Sequence, residues 1–111
     1  MKSQRMNAKK EFLNEVQGKT VLCAYIERGF GGAVDSAYAL DLDYTPDDYA
    51  MFLESLDFVY DADFGEPNLF GTIWYTDNTW STRIAYHAGE EWLHKKPPEV
   101  PPWLYKGKIG Q

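Results

Sequence analysis

Residues 69–86, LFGTIWYTDNTWSTRIAY, place two runs of aromatic and β-branched residues on either side of an Asp-Asn pair. Such runs flanking a short polar turn predict an antiparallel β-hairpin. With Asp77-Asn78 as a two-residue turn, Thr76 pairs with Thr79 and the register runs outward from there. Tyr75 then faces Trp80, Ile73 faces Thr82, Gly71 faces Ile84 and Leu69 faces Tyr86. This set is apolar and is the expected core face; a four-residue loop over 76–79 preserves it. The opposite face holds Thr76, Thr79, Trp74, Ser81, Thr72, Arg83, Phe70 and Ala85. A three-residue loop with a bulge would instead carry Tyr75 and Trp80 outward.

On the first register Trp74 lies diagonal to Arg83. An exposed tryptophan beside a guanidinium is the kind of pair that anchors a protein partner or stacks a base. The competing expectation is that the proline-rich C-terminal segment, or a helix, folds over Trp74 and covers it.

The rest of the chain supplies the other elements. Residues 7–17 set Phe12, Leu13 and Val16 on one helical stripe, with Asn7 as cap and Gly18 as stop. Residues 20–28 are apolar on both alternations, the pattern of a strand covered on both faces. The glycine-rich 29–35 reads as a connector. Residues 36–44 alternate, with Tyr38, Leu40, Leu42 and Tyr44 on one face and Asp41 and Asp43 on the other, as in a half-buried strand.

Thr45-Pro46-Asp47-Asp48 then carries a full helix-start signal, followed by Tyr49, Phe52, Leu53 and Leu56 on one face. The stretch 58–68 reads as a strand end or loop, and PPEVPPWL as extended or polyproline II. The predicted architecture is α+β, with a single-layer antiparallel β-sheet of about four strands packed against two helices. The expected organisation is one domain over 1–111, with 97–111 an extended proline-rich tail.

Charge is distributed unevenly. The net charge is −6, yet residues 35–66 hold ten carboxylates and no lysine or arginine. Such a run repels phosphate, so direct nucleic-acid binding is not expected. It could bind a cation, meet a basic protein surface or imitate a phosphate backbone, or it could simply be a solvated acidic face. The single cysteine, Cys23, excludes an intrachain disulfide. The N-terminus lacks an apolar signal segment and the longest apolar run, VLCAYI, is far too short for a membrane span. A cytoplasmic protein with no membrane contact is expected.

Catalytic patterns are weak. His87 and His94 with Cys23 fit no zinc spacing, and Cys23 sits in an apolar strand where inert thiols are found. Asp61, Asp63 and Glu66 have some look of a calcium loop but lack its later ligand positions. Asp41 and Asp43, about 7 Å apart if they share a strand face, have no nucleophile or metal cluster beside them. No enzyme activity, cofactor or metal is expected.

Three segments, PDDYAMFLESLDFVYD (46–61), LFGTIWYTDNTW (69–80) and YHAGEEWLHKKPPEVPPWL (86–104), resemble a group of small uncharacterised bacteriophage- and prophage-type proteins. That group carries a helix followed by LFGTIWFxDGTW and a tryptophan- and proline-rich end. Here Asn78 replaces its turn glycine, His87 an aspartate and Leu93 a second tryptophan.

The resemblance implies a setting rather than a mechanism: a small acidic protein in the host cytoplasm that binds and blocks a host defence or nucleic-acid-handling protein. The expected partner is a host protein with a basic surface, met by Asp41, Asp43, Asp61, Asp63 and Glu66 and anchored by Trp74 and Arg83. One alternative is a small-molecule or nucleotide pocket formed by Trp74, Trp92 and Trp103. The other is a homodimer or larger homo-oligomer joined at an exposed sheet edge.

Overall fold

A computed structural model describes residues 5–30, 33–61, 68–86 and 89–105. Its elements in chain order are β1 (Arg5–Asn7), α1 (Ala8–Glu15), β2 (Val21–Phe30), β3 (Ala33–Leu40), α2 (Pro46–Ser55), β4 (Val59–Asp61), β5 (Leu69–Tyr75), β6 (Trp80–Tyr86) and β7 (Gly89–Lys95). A 3-10 turn over Pro102–Leu104 follows. The class is α+β, as expected, but the described residues form seven strands in two sheets rather than about four in one. The main sheet has the order β3-β2-β5-β6-β7 and is antiparallel throughout, and β1 pairs with β4 in a small second ribbon.

Both helices start where the sequence says they should. The Asn7 side chain accepts from the Lys10 amide at 2.9 Å, and its amide group donates to Asp57 at 2.9 Å. At α2 a capping box is complete: the Asp48 amide donates to the Thr45 hydroxyl and the Thr45 amide to the Asp48 carboxylate. Two further expectations need correction. Leu13 is exposed, leaving Phe12 and Val16 as the buried stripe of α1. The strand expected over 36–44 ends at Leu40, because Asp43 turns the chain in a left-handed conformation (φ 62). Asp41 and Asp43 therefore share no strand face, and Leu42 is exposed.

The core lies on one side of the main sheet. Phe12 of α1 and Val16 just past its end, with Phe52 of α2 and Leu56 just past its end, pack onto Val21, Ala24, Ile26, Leu40, Leu69, Ile73 and Tyr75. Tyr60 joins them from β4. At Gly71 the β2 backbone leaves no room for a side chain: its φ is 149, and a Cβ there would sit 2.3 Å from the Tyr25 carbonyl oxygen. Only glycine fits.

The hairpin turn has three residues, Thr76 to Asn78. The Tyr75 amide donates to the Thr79 carbonyl at 3.0 Å, and Asn78 takes the left-handed position (φ 69) that such a bulged loop requires. Trp74 therefore pairs with Trp80, Ile73 with Ser81 and Thr72 with Thr82. The face assignment of β5 stands, with Leu69, Ile73 and Tyr75 inside. That of β6 is reversed: Ser81 and Arg83 point into the core, while Trp80, Thr82 and Ile84 lie on the opposite side with Trp74.

Candidate functional site

With both helices on one face, the other face of the five-stranded sheet carries no secondary-structure layer among the described residues. β2, expected to be covered on both sides, is open on one. Alternation and register place Cys23, Tyr25 and Glu27 of β2, Phe70, Thr72 and Trp74 of β5, and Trp80, Thr82 and Ile84 of β6 on this face. Leu93 of β7 and Ala37 and Ala39 of β3 extend it sideways. Tyr25, Phe70, Trp74 and Leu93 are 36–43 % exposed, high for large apolar side chains sharing one surface. Strands about 4.8 Å apart and about 3.3 Å long per residue give the face a projected area on the order of 500 Å². Apolar patches beyond a few hundred Å² mark contact surfaces more often than bare solvent-facing ones.

Trp74 sits at the hairpin end of this surface, one residue before β5 stops. Its strand is the central one of the five, and its neighbours across the ladders are Cys23 and Trp80. The contest between an exposed and a covered Trp74 is decided for exposure, at 41 %. Burial raises the Cys23 thiol above its ordinary value, so it remains protonated and unreactive near neutrality.

Arg83 is not beside Trp74. It lies on the core face with its side chain 3 % exposed. Its Nη2 donates to Glu90 Oε1 at 2.7 Å and to the Tyr60 hydroxyl at 2.8 Å, while Nη1 lies 3.6 Å from Glu11 Oε2. Glu90 also accepts from the Asn68 and Leu69 amides at 2.7 and 3.0 Å. The Tyr60 hydroxyl donates to Glu11 Oε1. Next to this group, Ser81 donates to Glu15 at 2.6 Å and lies 2.7 Å from the Tyr75 hydroxyl.

The result is a buried polar seam that fastens α1 and β4 to β6 and β7. Burial holds the Glu11 carboxyl above its usual value, against the pull of Tyr60 and Arg83. Burial also raises Tyr60, helped by its bond to Glu11, and pushes Tyr75 up to about 12. Burial opposes the charge on Arg83, but Tyr60, Glu90 and Glu11 outweigh it and the guanidinium is held more firmly protonated than usual. Glu11, Glu15, Tyr60, Ser81 and Glu90 were missing from the sequence reading, since buried carboxylates look like solvated ones in a polar run. The one available signal was the alternation Glu90, Trp92, His94 in β7, with Trp92 on the buried side.

The remaining candidates fall as follows. Asp41 and Asp43 are exposed in the turn after β3, together with exposed Asp35, Asp47, Asp48, Glu54 and Asp57 along β3, α2 and their flanks. Asp61 is placed by its backbone alone, at the end of β4 opposite Arg5. Asp63, Glu66 and His87 lie outside the described residues. The expected pocket of Trp74, Trp92 and Trp103 does not form. Trp92 is buried on the core face, where the Arg83 guanidinium lies 5.2 Å from its ring centre, and Trp74 is on the opposite face. Trp103 is 66 % exposed in the C-terminal segment.

Among the described residues no three His, Cys, Asp or Glu side chains are grouped to hold a metal ion, and no helix is long and apolar enough to cross a membrane. No family model matches the chain, nor does any curated protein or solved structure.

Proposed function

We propose that this chain is a small non-catalytic binding protein that inhibits a host protein by occupying a basic surface on it. The observation that carries the reading is the uncovered sheet face, with Tyr25, Phe70 and Trp74 exposed on two of its inner strands. Tryptophan contributes heavily to the energetics of many interfaces when it loses its water on binding. The carboxylates around β3 and α2 contribute in a different way. They are exposed, hence screened and weak individually, but their summed field steers a basic partner toward the protein. The resemblance to phage-type proteins favours a host defence or nucleic-acid-handling protein as the target, and the acidic charge favours contact with that protein rather than with its nucleic acid.

Affinity capture from host lysate tests the reading. Wild-type bait should retain a discrete basic protein. Retention should weaken as salt shortens the range of charge attraction and should be lost with Trp74→Ala bait that melts like wild type. Equal retention by wild type and the variant would overturn it.

A further inference from the structure

β3 is an edge strand of the main sheet, paired only with β2 among the described residues. An edge strand turns alternate backbone N–H and C=O groups outward, where they can pair with another extended chain. The consecutive residues Ala37, Tyr38, Ala39, Leu40 and Asp41 line one wall of a cavity of about 370 Å³. Asp48, Met51, Phe52 and Ser55 of α2 line the other. Side chains alternate across a strand, so a space lined by five residues in a row runs along the strand's edge rather than over one face.

The chemistry of the walls restricts what fits. Ala37 and Ala39 leave room for an incoming backbone. Phe52 and Leu40 supply a buried apolar floor, and Met51, 69 % exposed, is an apolar side chain at the rim. Asp41 and Asp48 lie on opposite walls, and no lysine or arginine occurs between Arg28 and Arg83 in the sequence.

We infer that this groove takes an extended peptide segment of a partner, added as a further strand beside β3, with apolar side chains toward Met51 and Phe52 and lysine or arginine toward Asp41 and Asp48. Main-chain pairing supplies affinity and the two walls select side chains, as in other strand-addition sites. The groove adjoins the open sheet face at Ala37 and Ala39, but Trp74 itself lies two strands away in the sheet and does not line it.

The test is selection from a displayed random nonapeptide library against the full chain, followed by binding of the best enriched peptide carrying a fluorescent label. Enriched sequences should alternate apolar residues with lysine or arginine. Binding should fall about tenfold or more, a change of about one decade in Kd, for Met51→Arg and for Asp41→Arg. Both positions are exposed, so both variants should melt with wild type. N-methylation of alternate peptide amides, in one of the two possible phases, should abolish binding, and Trp74→Ala should leave it unchanged. The inference fails if no sequence is enriched or if the enriched sequences are acidic. It also fails if binding survives both charge insertions and both methylation phases, or disappears with Trp74→Ala.

Discussion

Trp74 and Arg83 differ by one position in the pleat, and that difference decides their roles. Arg83 holds two buried carboxylates, so truncating it strands Glu90 and Glu11 without their counter-charge. Arg83→Met should cost about 3–5 kcal/mol by urea unfolding, whereas Trp74→Ala on the open face should cost less than about 1 kcal/mol. The reverse ranking would restore the exposed-arginine reading.

Glu11 makes the same seam sensitive to pH. Its carboxyl keeps its proton to higher pH folded than unfolded, so its contribution is fully present below the ordinary value of 4.5 and is lost as pH rises through the raised one. Glu11→Gln should flatten that decline in the urea midpoint. An unchanged pH profile would mean that Glu11 titrates alike in both states.

At the level of elements, strong local signals survived folding and ambiguous ones did not. The capping box of α2, the Asn7 cap of α1 and the inward set Leu69, Ile73 and Tyr75 of β5 could all be read directly, because each depends on neighbours in sequence. β6 could not. WSTRIAY offers an apolar face and a polar one, and patterning alone sends Trp80 and Ile84 inward. The polar face goes in instead, because Glu11, Glu15, Tyr60, Tyr75 and Glu90 arrive from four other elements to pair with Ser81 and with the charge of Arg83.

The turn that selects this register hangs on Asn78 in the left-handed conformation. Asn78→Gly should be neutral or stabilise by up to about 1 kcal/mol, and Asn78→Val should destabilise by about 1–2 kcal/mol, both measured by thermal unfolding. Equal stability of the two variants would argue against the bulged loop. β4 falls in the stretch read as a strand end or loop, whereas β1 and β7 were missed: β1 spans only three residues, and β7 carries a buried glutamate in a run that reads as solvated.

For the whole molecule, sidedness is the organising fact. Helices, buried seam and core occupy one side of the main sheet, and the other side is left to Tyr25, Phe70, Trp74, Trp80, Ile84 and Leu93. Aromatic residues make up 16 % of the sequence and its net charge is −6, but which rings share a surface depends on strand order and loop length, and neither is local. On the proposed reading, the exposed carboxylates along β3 and α2 give a partner's approach its charge preference, while the rings supply the area that must lose water.

The most direct measurement is hydroxyl-radical footprinting of the chain alone and in complex with the protein captured from lysate. The account predicts strong protection of Trp74, Tyr25 and Phe70 in the complex, with Trp103 labelled as before. Unchanged labelling of the three sheet rings, or protection confined to Trp103, would contradict it.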